Sequence, residues 1–360
     1  MSYRCKSAGA AALPALLLLC SCDYRRPATR EWAVMGTFAT VSVPFEQSAN
    51  LDAYVREARE VFSEINDKLT VYTQSSELAA VNRAAGSGTV AVGALTGEAV
   101  AAALKYAALS DGYFDPTVAP LVRWWGFNAG SAPSALPEPD EMRAMLARVG
   151  FENVRLAEDE SEAGKPWRVE LALPGMSLDL GGAAKGFAVD KCFERLRRAG
   201  AADVMINLGG NIRCGGVARP DRPWRIGVRN PFDNTRMLGV LLIPDGWAVA
   251  TSGNYERYVV IDGKRYTHII DPRTGYPVAG MAGVTVAART AFEADAMSTA
   301  FFVMGPDEAA RILPRVPGCE VLFVLDEQPP VLRMTPGFAE MFEAEGEFSG
   351  AAAVLPAREP

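Results

Sequence analysis

From Trp167 onward the sequence is dominated by short β-type runs broken by glycine and proline, and this pattern limits the fold more than any other feature. The runs read "DVMINLGGNIRCGG", "PWRIGVR", "LGVLLIP", "WAVAT", "RYVVID" and "AGVTVAA", with "EVLFVLD" as a late strand. Helical segments are expected just after the "DLGGAAKG" turn, from about Phe292 to Phe302, and near Asp307 to Leu313. A doubly wound parallel sheet needs regular βα alternation, and that alternation is absent. The predicted class is therefore α+β: a single domain of mostly antiparallel sheet flanked by helices. No repeat of fixed period is evident.

The first half has a different texture. "WAVMGTFATVSVP" alternates as a strand does, with Gly36 at a point where backbone can approach a neighbour closely. Leu51, Val55, Ala58, Phe62, Ile65 and Leu69 recur every three or four residues, which makes one apolar helical face. A second helix is expected from Thr96 to Ser110, followed by "DGYFDPTVAPLVRWWGF", an irregular, aromatic, well-packed segment. Residues 128 to 139 read as a polar, Pro-rich connection.

Composition narrows the class of function. With 49% hydrophobic and 22% charged residues the 360-residue chain has material for a packed core, which excludes wholesale disorder. The net charge is −7 and no Lys/Arg run interrupts it, so no nucleic-acid partner is expected. The first 22 residues place Arg4 and Lys6 before the uncharged stretch Ser7 to Leu19, the order of an export signal. "LCSC" resembles the bacterial lipoprotein signal, in which a small residue precedes a cysteine that becomes the lipidated N-terminus. The expected divisions are a signal peptide over 1–21, a linker over 22–30 starting at lipidated Cys22, a domain over 31–350 and a tail over 351–360. Asp23 resembles a signal for retention at the inner membrane. Beyond that point Cys192, Cys214 and Cys319 match no zinc spacing and are expected as buried small apolar side chains.

Three short segments hold residues suited to chemistry. In "DLGGAAKG", Asp179 to Gly186, paired glycines let main-chain groups face a ligand, the following helix offers its positive end to an anion, and Lys185 adds a charge. A tight structural turn satisfies the same sequence equally well. In "EADAMSTA", Asp295 and Thr299 stand four apart and project from one side of a helix. A carboxylate and a hydroxyl, completed by a main-chain carbonyl and waters, is an oxygen set that Mg²⁺ accepts; the alternative is an acid that stabilises the helix start. In "HIIDPRTGYP", the chain's sole histidine, His268, sits with Asp271, Arg273 and Thr274 around a proline turn.

Taken together, these segments resemble the ApbE-like flavin transferases, the FAD:protein FMN transferase family. The matching blocks are "MGT" at Met35 to Thr37, "GYFDPTVAPLVRWWGF", "DLGGAAKGFAVDK", "INLGGNIR", "ATSGNYERY", "HIIDPRTGYP" and "VTVAARTAFEADAMSTAFFVMG", in the family's order from residue 35 to about 305. The resemblance implies a Mg²⁺-dependent enzyme that splits the pyrophosphate of FAD, links FMN through its phosphate to a Ser or Thr hydroxyl of another protein, and releases AMP. It implies flavin or adenine contacts at Met35, Tyr72, Tyr113, Phe114, Asp115, Asp179, Lys185 and Ile269. Metal ligands are implied at Asp295 and Thr299, with main-chain oxygens of Gly182 and Ser298 completing the set. His268 is the implied catalytic base, with Asp271 orienting or assisting it. Acceptors implied by the family are membrane redox subunits of NADH:quinone or ferredoxin-linked complexes that display a Ser/Thr-containing motif to the periplasm, where this enzyme would sit as a lipid-anchored protein of the inner membrane. Departures occur at Thr267, Asn211 and Asn254, where relatives commonly have His, Asp and Asp. Two other readings fit the same residues: hydrolysis of FAD to FMN and AMP, and a lipoprotein that binds flavin without chemistry.

Overall fold

A computed structural model describes residues 26–127, 133–159, 163–255, 257–346, 348 and 352–355. The expected leader with Cys22, residues 128–132 of the expected loop, and 351 and 356–360 of the expected tail lie outside the described residues. Within them a nine-stranded sheet runs in chain order: Ala28–Val34, Thr37–Val43, Val204–Leu208, Asn211–Gly215, Ala248–Gly253, Met281–Ala288, Glu320–Leu325, Leu332–Met334 and Ala352–Val354. Every neighbouring pair is antiparallel except the last, which is parallel. Helices Leu51–Leu69, Ala184–Arg198 and Ala291–Ile312 pack side by side against this sheet. The α+β class with mostly antiparallel sheet follows directly.

The core has two faces, and the central strand shows why. All eight residues of Met281–Ala288 are buried. Met281, Val284, Val286 and Ala288 join the large cluster under the helices, whereas Ala282 and Ala287 join a second cluster on the far side of the sheet. That second cluster is closed by the three-stranded sheet of Trp224–Arg229, Met237–Ile243 and Phe342–Ala344. A strand covered on both faces reads as a continuous apolar run, as "MAGVTVAA" does.

The helix Leu51–Leu69 buries Leu51, Val55, Ala58, Phe62, Ile65 and Leu69, the stripe expected from periodicity. Other elements depart from expectation. "WAVMGTFATVSVP" is a hairpin: Met35 (φ 50°) and Gly36 (φ 69°) form its two-residue turn, with Val34 opposite Thr37. The inward face passes from even positions (Trp32, Val34) to odd ones (Thr37, Ala39, Val41) across the turn, a one-residue shift of the alternation that marks the reversal. The separate helices expected near 292–302 and 307–313 are present: within Ala291–Ile312 the helical backbone is broken at Gly305 (φ 70°, ψ 173°) ahead of Pro306. The fold also reaches past both expected limits of the domain. Strand Ala28–Val34 starts within the expected linker, and Ala352–Val354 within the expected tail pairs with Leu332–Met334. Cys192, Cys214 and Cys319 are buried free thiols, and burial pushes the first two well above the usual thiol range.

Candidate active site

The site is built where helix Ala184–Arg198 starts against the side of helix Ala291–Ile312. Gly186 makes this approach possible: a Cβ there would strike the Ala291 carbonyl oxygen and lie 2.8 Å from the Asp295 Cβ. The contact brings the Gly186 N–H to Asp295, donating to Oδ2 at 2.9 Å. Lys185 Nζ stands 3.7 Å from Asp295 Oδ1, and the Asn211 side-chain amide also points a donor at this carboxylate. Burial pushes the Asp295 carboxyl above its ordinary range, against the pull of Lys185, the Gly186 N–H and Asn211.

One turn further along, the Thr299 hydroxyl donates to the Asp295 main-chain oxygen at 3.3 Å. Gly182 lies beside it: a Cβ at 182 would be 3.4 Å from Thr299 Oγ1 and 3.4 Å from the Phe114 ring. Ser298 is fully buried; its hydroxyl donates to the Asp295 main-chain oxygen at 2.9 Å and accepts from Ser252 at 2.8 Å. That hydroxyl is committed to the helix–sheet contact and is not offered to a ligand.

The donors gathered here suit a hard cation. They are the Asp295 carboxylate, the Thr299 hydroxyl and the Gly182 main chain, and beside them Asn211 keeps a buried Oδ1 with no hydrogen-bond partner. Among the described residues no group of three or more His, Cys, Asp or Glu side chains is arranged to hold a metal. A cation here would be held by one carboxylate and neutral oxygens, the manner of Mg²⁺, which keeps waters and takes substrate phosphate oxygens.

The expected nucleotide contacts fall on several elements around this point. Asp179 Oδ1 accepts from the Gly181 N–H at 2.8 Å and shapes the glycine turn, while the Asp179 N–H donates to the Pro116 oxygen at 2.8 Å. This ties the turn to the aromatic segment holding Tyr113 and Phe114. Asp115 is 6% exposed and saturated from within: Oδ1 accepts from the Thr117 N–H (2.7 Å) and hydroxyl (2.6 Å), Oδ2 from the Phe151 N–H (3.0 Å). It braces the segment, and a ligand would meet its neighbours before its carboxylate. The Met35–Gly36 turn packs on the Gly209–Gly210 turn, since a Cβ at 209 would lie 2.7 Å from Thr37 Oγ1. A methionine at positive φ is a conformation that bulky residues rarely adopt, and no feature of the sequence announced it. Tyr72, 64% exposed beyond the end of helix Leu51–Leu69, presents its ring outward. Ile269 is buried in the main core and its carbonyl accepts from the Val278 N–H at 2.9 Å.

His268 follows strand Lys264–Thr267, with its ring edge-on to Phe127. Its Nδ1 lies 3.2 Å from the Arg257 main-chain oxygen. A carbonyl only accepts, so Nδ1 bears the proton in this contact, the tautomer in which a neutral imidazole carries its basic lone pair on Nε2. Asp271 holds its near neighbour Arg273. Its oxygens accept from Arg273 Nε at 2.9 Å and Nη2 at 2.8 Å, and the guanidinium lies 3.6 Å over the Tyr113 ring. Asp271 therefore anchors the histidine loop to the aromatic segment through Arg273. The spacing of "DPRTG" held that pairing, but the partner ring lies far away in sequence.

Sequence reasoning passed over Asp190. It accepts from Arg213 Nη1 at 2.7 Å and from the N–H groups of Ala291 (2.8 Å) and Phe292 (2.9 Å), fixing the start of the helix that bears Asp295.

The chain is similar to known proteins over most of its length. The ApbE family model matches residues 35–323. The FAD:protein FMN transferase of Vibrio cholerae is 32% identical over 84% of this chain and 89% of its own length. That of Treponema pallidum is 34% identical over 86% and 88%. Among solved structures, the ApbE protein of Thermotoga maritima superposes with a TM-score of 0.77 at 31% identity, covering 88% of this chain and all of the other. The flavinyl transferase ApbE of Pseudomonas stutzeri gives 0.77 at 28% identity, covering 90% of this chain and all of the other.

Proposed function

The chain belongs to the ApbE family, and from that premise we propose that it is an FAD:protein FMN transferase acting through the Asp295 site. An acceptor Ser or Thr hydroxyl attacks the FMN phosphorus of FAD, the bridging P–O bond breaks, and AMP leaves with the bridging oxygen. The observation that supports this reading most strongly is the convergence of Lys185, Asp295, Thr299 and Gly182 where helix Ala184–Arg198 begins.

The residues divide the work. The N-terminal end of that helix favours the negative pyrophosphate, and Lys185, already beside Asp295, is placed to turn to a phosphate oxygen. Tyr72 offers an exposed flat face for a ring of the dinucleotide, while Tyr113, under Arg273, and Phe114 are buried and back the site. His268 accepts the acceptor's hydroxyl proton on Nε2, with Nδ1–H held by the Arg257 carbonyl. Asp271 holds Arg273 on Tyr113 and keeps the histidine loop in register with the ring site. Mg²⁺ bound by Asp295, Thr299 and the Gly182 main chain would neutralise charge building on the phosphoryl oxygens.

Among the described residues no helix is long and apolar enough to cross a membrane. We place the enzyme on the periplasmic side of the inner membrane through a lipid on Cys22, supported by the order of charged, apolar and small residues in the leader. Acceptors would be membrane redox subunits with an exposed Ser/Thr-containing motif. A Cys22→Ala chain is expected in the soluble fraction of cells that hold the parent chain at the membrane; equal membrane retention would remove the anchor. For the reaction itself, incubation with FAD, Mg²⁺ and an acceptor polypeptide is expected to leave flavin fluorescence on the acceptor in a denaturing gel. Stoichiometric FAD retention without AMP would instead indicate a binding protein.

A further inference from the structure

Asn211 opens strand Asn211–Gly215, directly after the Gly209–Gly210 turn and opposite Leu208. It is 3% exposed, and its side chain reaches the Asp295 carboxylate. Two acceptors do not face each other, so the amide nitrogen is the atom turned to Asp295 and the carbonyl oxygen faces the other way. That oxygen is a buried acceptor with no hydrogen-bond partner. An unmade hydrogen bond at a buried carbonyl costs about 1–3 kcal/mol, so its retention beside a carboxylate of the site calls for a ligand. The surroundings say which kind. The neighbouring charges are one carboxylate and the Lys185 ammonium, and no cluster of three or more His, Cys, Asp or Glu lies among the described residues. Any cation at Asp295 must keep part of its hydration, and a neutral oxygen there would receive a hydrogen bond from such a water.

We propose that Asn211 is a positioning residue of the cation site: its amide nitrogen orients the Asp295 carboxylate, and its carbonyl oxygen accepts from a water bound to the cation. This rests on the reading of Asp295 as the cation's carboxylate. The position is sensitive to charge as well as shape. An aspartate there would keep an oxygen for the water but set a second negative charge against Asp295, so the site would bind a cation more tightly and be less stable without one.

The test uses the purified full chain without FAD, with Mn²⁺ as the probe, and measures its dissociation constant by the loss of free-ion paramagnetic resonance. Asn211→Ala is expected to weaken Mn²⁺ binding roughly 10–100-fold, the range for groups that position metal ligands. Unchanged affinity in Asn211→Ala, with binding abolished in Asp295→Ala, would overturn the role of Asn211 alone. Unchanged affinity in Asp295→Ala would overturn the underlying cation site. Asn211→Asp decides the matter independently if the alanine variant does not fold. Its melting temperature without cation is expected below that of the parent, and the rise on adding Mn²⁺ larger, because binding to the folded state stabilises by mass action. A Mn²⁺-induced rise no larger than the parent's would overturn the proposal.

Discussion

Asp190 and Asp295 are buried carboxylates at the same helix–helix contact, yet one is closed and the other open. Asp190 has each oxygen engaged within 3 Å, by Arg213 and by the first N–H groups of helix Ala291–Ile312. Its position at that helix's positive end adds a favourable field. Asp295 lies a turn further along. One oxygen is held by the Gly186 N–H, the Asn211 side chain turns a donor to the carboxylate, and Lys185 stands 3.7 Å from the other oxygen. Burial raises both carboxyls above the ordinary range, so burial alone does not separate structure from chemistry. What separates them is whether the oxygens are already used. A carboxylate fixed by close main-chain donors and a guanidinium holds the frame, and one whose second oxygen faces a long, movable lysine is the one able to take a ligand.

The sharpest way to break this contrast is Asp190→Ala, which strands the largely covered Arg213 without its partner. A loss of roughly 3–5 kcal/mol in urea unfolding is expected, the usual result of removing one partner of a buried pair, while the fraction that stays folded keeps its turnover. A loss under about 1 kcal/mol would show that Asp190 is dispensable to the frame. Asp295→Ala should do the reverse. Turnover should fall by about a thousandfold, equivalent to the several kcal/mol a metal contributes to a transition state, with a much smaller change in stability. Next in size, His268→Ala should slow transfer by about a hundredfold or more, the contribution of a general base, with FAD affinity retained. Lost FAD binding would make the imidazole structural.

A pH experiment sharpens the comparison further. Asp115, Asp190 and Asp295 all have folded pKa values raised by burial. Between the ordinary carboxylate value and those raised values, the folded chain holds protons that the unfolded chain has lost. Stability from these groups is therefore present at low pH and falls as pH rises through that window. Asp295→Asn should flatten the fall measured by urea midpoints, and an unchanged slope would refute the raised carboxyl. The smallest effect belongs to Asp111, whose carboxyl is held below the ordinary range by Arg315 and Arg311 at the surface. Its contribution has the opposite sign, present above the unfolded value and lost as pH falls. Asp111→Asn should change stability by less than about 1 kcal/mol.

What could be read from the chain alone follows the range of the interactions. The stripe of helix Leu51–Leu69 is written in local periodicity and strand Met281–Ala288 in a short β-type run, so both elements were legible, whereas the cover on both faces of that strand comes from remote segments. The spacing of Asp295 and Thr299 placed them on one side of a helix. The hairpin at Met35–Gly36 escaped because Met is not a turn residue, and the only trace it leaves is a one-residue shift of the alternation between Val34 and Thr37. The Asp190–Arg213 pair and the approach of Asn211 to Asp295 join strands and helices distant in sequence, and no spacing rule encodes such meetings. The destination of Asp271 was hidden for a related reason: its anchor Arg273 is adjacent, but Tyr113, which gives that anchor a place to rest, is remote.

The most direct measurement is the intact mass of an acceptor polypeptide after incubation with the full chain, FAD and Mg²⁺, repeated with Asp295→Ala. The expected result is the added mass of FMN on one Ser or Thr, with AMP released in equal amount, and neither product with the variant. An unmodified acceptor accompanied by AMP and free FMN, or equal modification by the variant, would contradict transfer through the Asp295 site.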